Sequence, residues 1–180
     1  MRRQELQGLR IKVVGIIKTN KRISTALVLL AVGFVGAPVL AQDFDKGMAA
    51  YQSGDYATAL EEWRPLAEWG HAEAQINMGL IYGFGDGVPQ DYAEAVIWYR
   101  LAAEQGDADA QTILGEYYVA GDGVIQDDVY AHMWFNLSAS QGHEGGKYQR
   151  EKLAKRMTAD QIAEAQRLAR ECVAKDYKGC

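Results

Sequence analysis

The chain has little of what active centres are built from. Its 180 residues include two cysteines, three histidines and three prolines. No histidine lies near Cys172 and Cys180, so the ligand spacing of a zinc site is missing. None of Ser24, Ser53, Ser138 and Ser140 is followed three residues later by lysine, and no Gly-x-Ser-x-Gly stretch occurs. Two common serine-nucleophile signatures are thereby excluded. The scarcity of proline leaves long stretches free to form helix. Pro65 is the exception: it sits inside the helical pattern of residues 56–69, where it removes a backbone bond and should bend the helix.

Basic residues are also scarce in the body of the chain. Residues 42–142 carry three basic and 17 acidic side chains, against nine and six in residues 143–180. A surface so acidic repels phosphate backbones, which argues against nucleic acid as a partner. It favours partners of basic character. The alternative is a solvated acidic surface that only aids solubility.

The beginning of the chain reverses this balance. Arg2, Arg3, Arg10, Lys12, Lys18, Lys21 and Arg22 face only Glu5, and an apolar run over residues 23–40 follows. The run ends Val39-Leu40-Ala41 before the polar Gln42-Asp43. A basic flank, an apolar stretch and small residues before a cut describe a secretory signal, with cleavage expected after Ala41. An uncleaved anchor is the rival, since the run approaches the roughly 20 residues that span a bilayer; Gly33, Gly36 and Pro38 argue against it. Either way the remainder is exported, most simply to a bacterial periplasm, with the medium or the outer side of the inner membrane as alternatives. Contact with a membrane is then limited to an uncleaved leader. In an oxidising compartment a Cys172–Cys180 disulfide is expected; free thiols or pairing between molecules are the alternatives.

What the chain does have is repetition. Ala74-Gln75, Gly79, Tyr82, Gly85-Asp86-Gly87-Val88, Gln90-Asp91, Ala95, Trp98 and Gly106 recur 36 residues later, from Ala110-Gln111 through Trp134 to Gly142. A fainter half-copy lies upstream in Asp55-Tyr56, Ala59, Ala67 and Gly70. Such a period marks a stacked helical array, in which one unit cannot bury its apolar face alone. Ala74, Met78 and Tyr82 fall at helical spacing, and the glycine-rich loop from Phe84 breaks the helix. Asp91 is placed to cap a second helix through Glu104, with Ala95, Trp98 or Tyr99, and Ala102 inward. Gly79 and Gly115 predict close approach of a neighbouring helix, since glycine is otherwise costly there. Trp98 and Trp134 belong to the core by their periodicity, whereas Trp69, beside Gly70, should be partly exposed. His71 and His143 follow equivalent glycines and read as turn residues. Beyond the repeats, residues 147–157 predict a helix, and Thr158 with Gln161 predicts a capping box opening another.

The pattern Ala-x-Ala-Gln-x-x-x-Gly-x-x-Tyr-x-x-Gly-x-Gly-Val-x-Gln-Asp-x-x-x-Ala-x-x-Trp-[Tyr/Phe] resembles the Sel-one-like repeat (SLR) family, relatives of the tetratricopeptide repeats. The resemblance implies an all-α, right-handed αα-hairpin solenoid. Its expected organisation is a signal peptide over residues 1–41, a tetratricopeptide-like first repeat over 42–71, SLR units over 72–107 and 108–143, and capping helices over 144–180. It also implies a protein-interaction scaffold, often in bacterial envelopes; the missing nucleophile and metal-ligand patterns add the expectation that it works without catalysis, cofactor or metal. In such arrays the first helix of each unit lines the concave side. By that resemblance Glu73, Ile76, Asn77 and Leu80 in one unit, and Asp109, Thr112, Glu116 and Val119 in the next, would face a protein or peptide partner. A structural envelope role, touching peptidoglycan or polysaccharide machinery, is the second expectation. Cysteine-rich family members that act on β-lactams carry a disulfide within each repeat, which this chain lacks, so a hydrolase is the remote third.

Overall fold

The computed structural model describes residues 43–180; the expected signal segment and its cleavage after Ala41 lie outside the described residues. Those residues form helices α1 (Phe44–Ser53), α2 (Tyr56–Glu68), α3 (Ala72–Phe84), α4 (Tyr92–Ala103), α5 (Ala108–Ala120), α6 (Asp128–Ser140), α7 (Glu144–Ala154) and α8 (Ala159–Ala174). No strand occurs among them. Each helix packs on the next from α1 to α7, α5 also touches α7, and α8 lies on α6. This is the nearest-neighbour pattern of an αα-hairpin solenoid.

The 36-residue rhythm is set by helix caps. Asp55, Asp91 and Asp127 cap α2, α4 and α6, each carboxylate accepting from backbone N–H groups of the first turn. His71, Asp107 and His143 cap α3, α5 and α7 in the same manner, accepting from Ala74, Ala110 and Gly146. Each cap satisfies donors that a helix start leaves unpaired. The two histidines expected to be turn residues are therefore caps, standing where Asp107 stands in the middle unit.

Aromatic rings set the spacing within each hairpin. Trp63, Tyr99 and Phe135, 36 residues apart, lie over Gly47, Gly79 and Gly115. A Cβ built on these glycines would fall 2.5, 2.8 and 2.5 Å from the respective ring. The close approach anticipated at Gly79 and Gly115 is thus to a ring of the same hairpin's second helix. A second contact joins successive hairpins. Gly87 and Gly123, at φ 74° and 71°, bring the interhelical loop against Tyr56 and Tyr92, the first residues of α2 and α4. Glycine is required there twice over, for the left-handed backbone and for the space.

Beyond the repeats, α7 runs over Glu144–Ala154, earlier than the sequence pattern placed it. The Thr158–Gln161 capping box at α8 is present in both directions. Cys172 and Cys180 are disulfide-bonded. The loop they close turns through left-handed Asp176 (φ 54°) and Tyr177 (φ 62°) and brings the Tyr177 ring beside Gly106. Helix α2 continues through Pro65, three residues before its end. The proline therefore leaves only the Glu61 carbonyl without its usual donor, on an exposed residue that water can reach.

Candidate functional site

The eight positions expected to face a partner do not form one open surface. In α3 the residues from Ala74 to Ile81 are buried without a break, and Ile76, Asn77 and Leu80 are among them. Thr112 is buried in α5. These four are therefore removed from the partner-facing set. The physical reason lies in the stack: a first helix is covered by its own second helix and by its neighbours' helices, so more than one of its faces is core. Val119 is half-buried and packs against the Ala131, Phe135 and Leu153 cluster. Glu73 is exposed, while Asp109 and Glu116 are half-buried. Glu116 accepts from Gln149 Nε2 at 2.6 Å.

Thr112 and Asp109 belong to a polar junction between α5, α6 and α7. The Thr112 hydroxyl lies 2.7 Å from Ser138 Oγ and 3.0 Å from His143 Nδ1, and His143 Nε2 lies 2.9 Å from Asp109 Oδ1. A hydroxyl, an imidazole and a carboxylate in line have the outline of a nucleophilic triad. The chemistry does not follow from it. His143 Nδ1 already accepts the Gly146 N–H at 3.0 Å, so its lone pair is committed to a helix cap. The hydroxyls of Thr112 and Ser138 are buried and reach the Ala108 carbonyl at 3.0 and 2.8 Å. The junction fastens three helices together.

Two further polar devices repeat with the array. Gln75 Nε2 donates to the Ala67 carbonyl at 2.9 Å and its oxygen accepts from Gln105 at 2.7 Å. Gln111 repeats this with the Ala103 carbonyl at 3.2 Å and Gln141 at 2.9 Å. Each buried amide is thereby paired at both ends, as burial demands. Arg64 and Arg100 donate to the Tyr82 and Tyr118 hydroxyls at 2.7 and 2.6 Å, which fixes part of the scarce positive charge in place. Sequence reading missed both relays, although their members recur at the repeat period.

At the starts of α3 and α5 carboxylates gather. The Asp107 carboxyl is pushed above its ordinary range, chiefly by burial and further by Asp109 and Glu73. Glu73 in the first turn of α3 thus acts on Asp107, the cap of α5, as Asp109 does from that helix's first turn. Asp107 was not among the expected positions; its place one repeat after His71 was the available signal.

A family model for the Sel1 repeat matches residues 72–107 and 108–143. Residues 72–143 are Sel1 repeats. The fold agrees with solved Sel1-like structures. One is c5321, a protective antigen of uropathogenic Escherichia coli strains displaying an SLR fold, at 32% identity and a TM-score of 0.68 over 73% of this chain. Another is a Sel1 repeat protein from Oxalobacter formigenes, at 31% identity and a TM-score of 0.59 over 62% of this chain. This chain spans 30% of the first protein and 46% of the second. No curated protein matches it by sequence. Sel1 repeat proteins generally act as protein-interaction scaffolds.

Proposed function

We propose that this protein is an exported, non-catalytic scaffold that holds another envelope protein or peptide of basic character. The observation that carries the reading is the acidic edge where α3 and α5 begin. There Glu73 stands in the first turn of α3, and Asp107 and Asp109 stand at the cap and first turn of α5, on a chain whose residues 42–142 hold only three basic side chains. Of the three carboxylates, Asp107 also caps α5 and Asp109 also bonds His143, while Glu73 stands exposed. A partner's cations meet a field that steers encounter and fixes register. The Cys172–Cys180 disulfide favours an oxidising compartment. Among the described residues no helix is long and apolar enough to cross a membrane.

A photo-activated cross-linker placed at position 73 or 109, and at the exposed Tyr148 as a control, tests this in cells of the source organism. The expected result is one shared protein adduct from positions 73 and 109 and none from 148. Adducts equal at all three positions, or absent from the first two, would contradict the acidic edge as the docking surface.

A further inference from the structure

Trp69 is 80% exposed, whereas Trp63, Trp98 and Trp134 are buried. It caps the end of α2 and stands at the rim of an open cleft of about 480 Å³ between the ends of α2 and α4. Trp98 and Leu101 line the cleft on the α4 side, Glu68 and Glu104 add carboxylates, and Lys178 enters from the disulfide-closed loop. Lys178 Nζ donates to the Glu104 carbonyl at 3.4 Å, at the C-cap of α4. That helix end carries the negative pole of its dipole and favours a cation. The chain itself thus places an ammonium here.

We propose that the Trp69 cleft binds a lysine or arginine side chain of a basic partner segment, in competition with the chain's own Lys178. The Trp69 indole supplies a face for a cation. Glu68, Glu104 and the end of α4 supply negative charge, and Leu101 supplies an apolar ledge for the aliphatic stem. Lys178 makes one long bond, which a better-placed cation displaces. Its loop is held by the Cys172–Cys180 bond through the two left-handed residues Asp176 and Tyr177, a backbone arrangement that ordinary side chains resist. Reducing the disulfide with an added dithiol, which is itself oxidised to a disulfide as the Cys172–Cys180 bond becomes two thiols, releases Lys178 from the cleft and raises the cleft's affinity for the partner cation.

The site lies at the ends of the second helices, one short turn in sequence before the acidic edge that opens the first helices, and rests on the reading that the partner is basic. Isothermal titration calorimetry on the purified protein tests it with acetyl-Leu-Arg-Leu-Arg-amide, acetyl-Leu-Glu-Leu-Glu-amide and chitotriose as probes. The arginine peptide should bind saturably and the other two should not. Trp69→Ala should weaken binding roughly tenfold and Trp69→Phe by less, in keeping with an aromatic–cation contact. Lys178→Ala, and separately reduction of the disulfide, should tighten it roughly threefold. Binding of chitotriose in place of the arginine peptide, equal binding by Trp69→Ala, or weakening by Lys178→Ala would each overturn the proposal. Cross-linking at positions 73 and 109 that survives such a failure would leave the acidic edge standing and remove the cleft alone.

Discussion

Gly115 shows how a single hydrogen atom in place of a methyl sets the width of a hairpin. A Cβ there would lie 2.5 Å from Phe135, a ring that is itself fully buried. Gly115→Ala gains up to about 1 kcal/mol of helix propensity but forces a rigid neighbour to move, at about 1–3 kcal/mol. We expect a net loss of about 1–2 kcal/mol in urea denaturation; a gain would show that the ring can yield. Gly123 and Gly54 make a sharper pair, since both have positive φ. Only Gly123 is crowded, its added Cβ falling 2.3 Å from the Tyr92 carbonyl oxygen, while Gly54 has open space. Gly54→Ala should cost about 1 kcal/mol, and Gly123→Ala clearly more. Equal costs would deny that the loop is pressed onto the preceding hairpin.

His132 is the residue at which pH should act on the fold. It is buried on α6, where the other units carry Leu60 and Val96, and its Nδ1 has no hydrogen-bond partner among the described residues. Burial, and behind it the charge of Arg150, holds the imidazole below its ordinary 6.5. The unfolded chain therefore takes up a proton near pH 6.5 that the folded chain refuses until lower pH. The stability contributed by neutral His132 is present above 6.5 and is lost as the pH falls through the folded value. His132→Leu should flatten the acid limb of stability, measured as urea midpoints at pH 7.5 and 5.0. A parallel profile in the variant would contradict this.

Among the helices, the caps were the most legible feature and the faces the least. Asp91 and the Thr158–Gln161 box could be read from sequence because capping is local: a carboxylate or hydroxyl meets N–H groups two or three residues on. Asp127→Ala removes bonds to Val129 and Tyr130 at 2.8 and 3.1 Å and should cost about 1 kcal/mol; thermal unfolding would check it, and an unchanged midpoint would make the cap redundant. The partner-facing positions were not legible in this way. Periodicity picks one apolar face, but α3 buries an unbroken run from Ala74 to Ile81. Ile76 and Leu80 are therefore core from the viewpoint of the neighbouring hairpins. The register of α7 slipped for a related reason: His143 caps it, and histidine is a weak cap signal in sequence.

The described residues form an array of hairpins followed by α7, α8 and a disulfide loop. Replacing both Cys172 and Cys180 by serine should lower stability by about 2–3 kcal/mol, the loop-closure entropy of a short ring. A stack of nearest-neighbour hairpins keeps its surface fixed while that surface varies in charge, which is how one fold can carry an acidic face without disturbing its core. Glu73 lies outside the core, whereas reversing Asp109 gives up its bond to His143, the cap of α7, so the fold of the variant is checked alongside. Co-purification of partners with the wild-type protein and with a Glu73→Lys/Asp109→Lys variant, scored by mass spectrometry with circular dichroism as the folding control, puts the scaffold reading to its test. A basic partner recovered with the wild type and lost from a folded variant is the result expected here. Equal recovery by both proteins would contradict it.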